Sequence, residues 1–119
     1  MPSIHIYTKP LDKTVRDRAA LAAHTACRSV IKGPALEQVF HEQNAIYVNG
    51  LPATKNEVSV FVEGPELGKE NTAELTRNLY AALTEAFGDP GMHFTVVYHV
   101  NDHDHVAPDG VLLSERLHK

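Results

Sequence analysis

Two segments with the order strand, helix, strand place the strongest constraint on how this 119-residue chain folds. Each segment has an alternating apolar stretch, then apolar residues at helical spacing, then a second apolar stretch. A helix that joins two strands of one sheet makes them parallel, with a right-handed connection. The six stretches are, in order, 3–7, 14–31, 39–48, 57–62, 75–86 and 93–100.

The ends of these elements carry recognisable signals. Thr14–Asp17 and Asn71–Glu74 resemble capping boxes, in which side chains satisfy the free amides at a helix start. Gly33–Pro34 and Gly88–Pro90 are typical helix stops. The polar stretch 41–44 predicts a bulge or bend within the second strand region. The stretch 93–100 is rich in β-branched and aromatic residues, which predicts a central strand buried on both sides.

The sequence therefore predicts an α+β (α/β) fold built from a doubled β-α-β unit in a single domain. The halves are about 1–50 and 56–101, joined by a turn at 49–56 and followed by a C-terminal extension, 102–119. Both helices are expected on one face of a four-stranded sheet. The other face is expected to be apolar and to bind further copies of the chain.

Composition excludes several classes of function. The net charge is −4 and Lys and Arg are scattered, which argues against a nucleic-acid partner. No apolar stretch reaches the roughly 20 residues that cross a bilayer, and the N-terminus lacks signal-peptide features. The single cysteine, Cys27, is expected to be a small apolar helix residue in a reducing compartment. We therefore expect a cytoplasmic protein with no membrane partner.

Pro2 stands directly before the first strand. Proline is common at the first residue of a strand because it has no amide hydrogen for the sheet. If Met1 is removed, Pro2 also becomes a free secondary amine, whereas a retained Met1 locks its nitrogen in a peptide bond. Burial and neighbouring cations lower the pKa of an amine, and a pKa near the working pH makes a good general base. Pro2 is therefore a candidate catalytic residue.

Four stretches carry a resemblance to a known family: 1–7 (MPSIHIY), 39–43 (VFHEQ), 47–50 (YVNG) and 96–98 (VVY). Together with the doubled β-α-β order, they resemble the tautomerase superfamily. Its relatives include 4-oxalocrotonate tautomerase, macrophage migration inhibitory factor and the cis-3-chloroacrylate dehalogenase group. The last three stretches are most like the dehalogenase group and its short uncharacterised relatives. The resemblance implies removal of Met1, acid–base catalysis by the proline amine without a cofactor, and a homotrimer.

The resemblance also suggests substrate-binding residues. Lys69 at the entrance of the second helix would bind a substrate carboxylate, although the dehalogenase group has two arginines there and this chain has Glu66 and Lys69. Tyr98 matches a last-strand tyrosine of that group, and His24 lies near its helix histidine. Arg28 is a further cation that a neighbouring subunit could present. Each of the four also has a purely structural interpretation, as a surface charge, a surface histidine, or a core or interface tyrosine.

Two further features of the sequence are less specific. Asp109 lies where the dehalogenase group has a water-activating carboxylate, but the stretch 107–110 (APDG) is also typical of a turn. The stretch 99–105 (HVNDHDH) contains three histidines and two aspartates without an ordered metal-ligand spacing. We expect a polar loop there and no metal site.

The sequence therefore predicts a small oligomeric tautomerase-type isomerase, with Pro2 acting on an enol or unsaturated carboxylic acid. Two alternatives stay open: a hydratase or dehalogenase-like enzyme, and a non-catalytic oligomeric binding domain of the same fold.

Overall fold

The computed structural model describes residues 2–33 and 35–116. Met1, Pro34 of the first helix stop and the end of the C-terminal extension lie outside the described residues. The elements are β1 (Ser3–Thr8), α1 (Lys13–Arg28), β2 (Glu37–Glu42), β3 (Tyr47–Val48), β4 (Leu51–Pro52), β5 (Glu57–Gly64), α2 (Lys69–Phe87), β6 (His93–Val100), a single 3-10 turn (Pro108–Gly110) and α3 (Leu113–Arg116). None of the described helices is long and apolar enough to cross a bilayer.

The main sheet has four strands in the order β2-β1-β5-β6. β1 and β2 are parallel, β5 and β6 are parallel, and β1 and β5 pair antiparallel at the centre. α1 connects the first parallel pair, and α2 connects the second. The predicted fold class, a doubled β-α-β unit with a four-stranded sheet and two main helices, is confirmed.

The core lies between the two helices and one face of the sheet. Alternate residues of β1 and β5 point into it, and small residues of α1 let that helix approach the sheet closely. Full burial of one Leu or Ile side chain contributes roughly 1.5–3 kcal/mol to the free energy of unfolding. The core residues with no exposed surface include Ile4, Ile6, Ala19, Ala23, Cys27, Val60, Val62, Leu75, Leu79 and Leu83. Cys27 is the small apolar residue that the sequence predicted, and burial raises the pKa of its thiol to about 12.

The predicted capping boxes are wrong. α1 already begins at Lys13, with the amide of Arg16 bonded to the carbonyl of Asp12 at 2.9 Å. α2 follows Gly68, whose carbonyl accepts from the amide of Thr72 at 3.0 Å. Neither N-cap residue makes a side-chain capping bond. Glu42 of β2 holds the chain just before α1 instead, because it accepts from the amide of Leu11.

Of the two alternatives predicted for the stretch 39–48, a bulge or a bend, the structure has a bend, at Asn44. β2 ends at Glu42, and β3 pairs with β4 in a separate hairpin. Asn49 and Gly50 form its turn with φ angles of 54° and 79°. Two central turn residues with positive φ match the twist of a hairpin.

The prediction of a central β6 is also wrong. β6 pairs with β5 only and lies at the edge of the sheet. One of its faces packs on α2, and Val97 on the other face is 42% exposed. β6 has apolar residues on both of its faces although it is an edge strand. An apolar run in the sequence therefore does not distinguish an edge strand from a central one.

The sheet face away from the helices is uncovered in the chain. It is not uniformly apolar as predicted, because Tyr7, Phe61 and Val97 share it with polar side chains such as His5 and His41. We call this surface the open face.

Candidate active site

A cavity of about 380 Å³ lies at the end of the sheet where β1 begins and β5 ends. Pro2 is half-buried and forms part of its lining. The backbone carbonyl of Pro2 accepts from the amide of Glu37 at 3.3 Å, which continues the β1–β2 ladder by one residue. This backbone hydrogen bond therefore fixes the position of Pro2 directly before β1.

Three segments form the walls of this cavity. The loop after α1 supplies one wall, the end of β5 supplies the second, and the C-terminal extension supplies the third. The lining is mostly apolar, with cations, a histidine and a carboxylate among the polar groups. The lining residues other than Pro2 are Lys32, Gly33, Ala35, Gly64, Pro65, Asn101, His103, Val106, Pro108, Asp109, Leu113 and Arg116.

Tyr98 lies behind the Gly64–Pro65 wall. Its hydroxyl donates to the backbone carbonyl of Pro65 at 2.5 Å. A Cβ atom at Gly64 would lie 2.7 Å from that hydroxyl oxygen, so only glycine leaves room for the tyrosine. Burial, assisted by Cys27 and Glu66, raises the pKa of Tyr98 to about 12. The phenol therefore stays protonated at neutral pH and holds the cavity wall as a hydrogen-bond donor.

The C-terminal extension folds back on itself to make its wall. The amide of Ser114 donates to the carbonyl of His103 at 2.9 Å, and that of Leu113 donates to the carbonyl of Val106 at 2.8 Å. The Arg116 guanidinium donates to the carbonyl of Pro108. Asp109 sits between these contacts with a left-handed φ of 54°. The extension thereby brings a histidine, a carboxylate and an arginine to the same cavity as Pro2.

Two cations line the cavity, Lys32 and Arg116. Lys32 follows α1, and its Nζ atom donates to the carbonyl of Arg28 at 2.8 Å. Neither residue has a predicted role in the sequence. The sequence does hold a signal for Lys32, because it stands directly before the helix stop at Gly33. A residue at that position lies in the loop beside the first strand. Arg116 gave no such signal.

The other predicted site residues do not gather around Pro2 in one chain. Lys69 is exposed at the start of α2, and His24 lies half-buried on α1. Arg28 ends α1 and donates to the carbonyl of Ile31 at 3.5 Å. These three residues do not line the cavity, whereas Tyr98 supports its wall from behind.

The histidine-rich stretch 99–105 divides between two environments. His105 bonds to Asp102 at 2.5 Å on the surface, and this hydrogen bond lowers the pKa of the Asp102 carboxyl. His103 lines the cavity instead. Within residues 2–33 and 35–116, no three His, Cys, Asp or Glu side chains are grouped as metal ligands would be.

No protein-family model and no curated protein matches the chain at the sequence level. Solved structures do match in three dimensions. Pt0534 inactivated by 2-oxo-3-pentynoate has a TM-score of 0.84 at 16% identity, covering 95% of this chain and 98% of that chain. N1, a member of the cis-3-chloroacrylic acid dehalogenase family, has a TM-score of 0.79 at 17% identity, covering 93% and 82%. A fused 4-OT symmetric trimer has a TM-score of 0.79 at 10% identity, covering 94% and 98%.

These similarities extend over nearly the whole chain. At such low sequence identities, these similarities show a shared backbone architecture and assign no role to any residue. The resemblance drawn from the sequence is therefore confirmed at the level of the fold: the chain has the fold of the tautomerase superfamily.

Proposed function

We propose that the chain is a tautomerase-type isomerase in which Pro2, freed by removal of Met1, is the general acid–base. Its substrate is an enol or unsaturated carboxylic acid, and no cofactor takes part. The observation that carries this proposal is the position of Pro2 in a mostly apolar cavity that also has two cations in its lining.

The cavity suits proton transfer by an amine. An apolar wall disfavours the charged form of a buried amine, and a nearby cation has the same effect. A neutral proline nitrogen can then take a proton from the enol oxygen or from a carbon next to a carbonyl group and return one at another atom. Such acid–base catalysis typically contributes about 10²–10⁴-fold to a rate.

Lys32 and Arg116 are the cations that we assign to the substrate carboxylate, since both line the cavity. An arginine matches the two oxygens of a carboxylate, while a lysine acts as a point charge. Lys69, His24 and Arg28 remain candidates for a neighbouring subunit to present. Tyr98 acts through the Pro65 carbonyl and is proposed as a positioning residue.

We also propose that the chain assembles as a homotrimer through the open face of the sheet. The 4-OT structure with the same fold is a symmetric trimer. The open face exposes 37% of Tyr7, 41% of Phe61 and 42% of Val97, and burying such side chains between copies stabilises an assembly.

Intact mass combined with turnover of phenylenolpyruvate tests the catalytic proposal. We expect chains that begin at Pro2 and convert the enol to the ketone. Pro2→Ala keeps an N-terminal amine but loses the ring and its basicity, so the rate should fall at least tenfold while the fold is retained. If Pro2 is the base, kcat/KM rises with pH through the titration of the amine.

A covalent probe provides a second readout. The similar Pt0534 is inactivated by 2-oxo-3-pentynoate, an activated alkyne. A neutral amine adds across such a triple bond with no leaving group, so labelled chains gain the full mass of the reagent. Labelling should map to Pro2. Activity in protein that retains Met1, or unchanged turnover in Pro2→Ala, would show that the mechanism is wrong.

A second candidate function has one specific observation in its favour. Asp109 lines the same cavity as Pro2, where a carboxylate could activate water for addition to an acetylenic or haloacrylic acid. In that case Pro2 acts as the acid. Asp109→Asn should then abolish hydration of a 3-haloacrylate while phenylenolpyruvate turnover stays unchanged. If neither substrate reacts and no label is taken up, a non-catalytic binding domain remains.

A further inference from the structure

The open face carries a directly bonded pair of histidines. Nδ1 of His5 on β1 lies 2.8 Å from Nε2 of His41 on β2. The ring centroids are 5.1 Å apart and the ring planes are inclined by 24°, so the two rings meet edge to edge. The two strands are hydrogen-bonded neighbours, and His41 is paired in register with Tyr7, two residues after His5. The pair therefore stands on backbone that the sheet holds in place.

Aromatic neighbours orient the pair. The His41 ring stacks on Tyr7 with centroids 4.2 Å apart and an interplanar angle of 9°. Tyr7 in turn meets the edge of Phe61 at 5.5 Å. Both histidines are half-buried within this layer. Side chains whose rotamers are locked by packing hold a ligand geometry better than free surface side chains, so the layer gives the pair the rigidity that a metal site needs.

The hydrogen bond between the two rings occupies groups that can bind a metal ion. A bond between two neutral imidazoles uses one N–H group and one nitrogen lone pair. When the donor ring carries its proton on the outer nitrogen instead, both facing nitrogens present lone pairs to the space between them. This change moves a proton within one ring and releases none. Neutral imidazole is the commonest metal ligand of proteins, and it suits Zn²⁺, Cu²⁺ and Ni²⁺.

The spacing of the rings matches a tetrahedral ion. Two imidazoles that bind one Zn²⁺ tetrahedrally at about 2.0–2.1 Å have their nitrogens about 3.3 Å apart and their ring centres about 5 Å apart. The ring centres of His5 and His41 already lie 5.1 Å apart. The facing nitrogens therefore need to separate by only about 0.5 Å, through a small turn of each ring within its own plane. Such a turn leaves His41 stacked on Tyr7.

The charge of the surrounding sheet favours a cation. The four described strands of the main sheet contain no lysine or arginine. On strand register, Glu37, Glu57 and Glu63 place their carboxylates on the same face as the pair. Glu37 and Glu63 are both paired with Ser3, two residues before His5. A surface whose fixed charges are carboxylates attracts a divalent cation and raises its local concentration.

We propose that His5 and His41 bind a divalent metal ion, with Zn²⁺ as the ion that fits the ring spacing. The two imidazoles fill two positions and leave the others to water. Both ligands come from one chain, so the site does not depend on the assembly proposed above. It lies outside the lining of the Pro2 cavity, so the ion takes no part in the proposed proton transfer. It joins β1 to the edge strand β2. No motif spacing indicates it, because the two histidines are 36 positions apart.

Isothermal titration calorimetry with Zn²⁺ alone tests this proposal, on metal-free chain at pH 7.5 in a buffer that does not bind metals. We expect one ion per chain. His5→Gln and His41→Gln each remove a ligand and should weaken binding at least about tenfold, since loss of even an outer hydrogen-bond partner of a ligand costs about 10–100-fold. His24→Gln on α1 and His93→Gln, whose ring bonds to Glu57, are the matched controls and should keep the original affinity.

Two readouts on the original chain need no variant. Co²⁺ should give the visible absorption of a tetrahedral ion, and Zn²⁺ should displace it. In NMR spectra of the imidazole nitrogens, Zn²⁺ should shift the signals of His5 and His41 and leave those of His24 and His93 in place. Unshifted signals from the pair would overturn the proposal. So would several weakly bound ions per chain whose affinity neither pair variant changes, because that is adventitious binding only.

Discussion

The two β-α-β halves have the same backbone and differ in what is built at their strand ends. The carbonyl of Pro2, before β1, accepts from Glu37 at 3.3 Å, and that of Asn56, before β5, accepts from His93 at 2.9 Å. The far ends also correspond, since Thr8 accepts from Gln43 and Gly64 accepts from Asn101. The hydrogen-bonded scaffold is thus nearly the same at both ends of the sheet.

The cavities at these two ends are similar in volume and different in chemistry. The Pro2 cavity is mostly apolar because apolar residues of the C-terminal extension, Val106, Pro108 and Leu113, form part of its lining. The cavity at Asn56 has about 360 Å³ and lies under the polar loop before the hairpin, where Lys9, Asn44 and Lys55 line it. Asn56 stands within the chain and has no amine to offer. The repeated β-α-β scaffold is present at both cavities, so the scaffold alone does not make the candidate site. The Pro2 cavity differs because it contains the N-terminal segment and is closed by the C-terminal extension.

The halves also solve one packing problem in two ways. In the second half, Gly64 makes room for the hydroxyl of Tyr98. Counted back from the last residues of the paired strands, the corresponding residues of the first half are Thr8 and Phe40. The first half thus has a larger residue, Thr8, where the second has Gly64, and a ring without a hydroxyl, Phe40, where the second has Tyr98. The hydroxyl group that separates Tyr98 from Phe40 is the one that holds the cavity wall through Pro65.

The largest expected effect compares the cations of the two cavities. Lys32→Ala and Arg116→Ala should each raise the KM for a carboxylate substrate by about 10–100-fold, because a charged hydrogen bond contributes about 1.5–3 kcal/mol. Lys9→Ala and Lys55→Ala remove cations from the other cavity and should leave KM within a factor of two. Steady-state kinetics on phenylenolpyruvate measures this, and equal losses at both ends would refute the assignment.

The second prediction breaks the packing difference at Gly64. Gly64→Ala places a methyl group 2.7 Å from the Tyr98 hydroxyl oxygen, so it should lower the free energy of unfolding by about 1–3 kcal/mol. Tyr98→Phe in the same chain removes the clashing atom and gives the second half the ring of the first. The double variant should therefore recover most of the loss caused by Gly64→Ala.

Urea unfolding at fixed chain concentration measures these variants. Gly91→Ala is the matched control, since a Cβ atom there meets only Asp89 at an ordinary 3.7 Å. If the double variant is less stable than Gly64→Ala alone, the clash with the hydroxyl is not the cause.

The third prediction concerns the ion pair of Glu42 with Arg16, which has no counterpart among the described residues of the second half. Glu42 at the end of β2 accepts from Arg16 at 3.1 Å, while its counterpart at the end of β6 is the exposed Val100. The hydrogen bond from Arg16, then the one from the amide of Leu11, lowers the pKa of the Glu42 carboxyl. The contribution of Glu42 to stability is therefore present above the unfolded pKa, near 4.3, and is lost as pH falls through the lower folded value.

Glu42→Gln should flatten this acid limb. The variant is less stable than the original chain at pH 7, and the difference shrinks as pH falls below about 4. Thermal unfolding between pH 3 and pH 7 tests it, with Glu74→Gln on the exposed surface of α2 as the control. A constant difference across this range would mean that the ion pair does not titrate as described.

Much of the fold could be predicted from local sequence patterns, and most of the site could not. The alternation of β1 and β5 and the stripe of α2 depend on neighbouring residues, so they are visible in the letters. The bond from the amide of Leu11 to Glu42 could not be predicted, because the two residues lie 31 positions apart in the chain. Pro2 was identified by its position alone. Lys32 and Arg116 come to line the same cavity as Pro2 only after the sheet pairs and the extension folds back, and no short-range pattern records that arrangement.

The smallest expected effect is at Thr8, the first-half counterpart of Gly64. Thr8 is fully buried, and its hydroxyl oxygen has no hydrogen-bond partner among the described residues. Burying a hydroxyl without a partner costs about 1–3 kcal/mol, whereas valine has the same shape and no such group. Thr8→Val should therefore raise the free energy of unfolding by about 1 kcal/mol and the Tm by a few degrees. Thr8→Ser keeps the hydroxyl and loses the methyl group, so it should destabilise the chain. Thermal and urea unfolding of both variants separates the hydroxyl from the packing volume. A Thr8→Val chain that is destabilised would show that the hydroxyl has a partner in solution, and that this position contributes more than space to the first half.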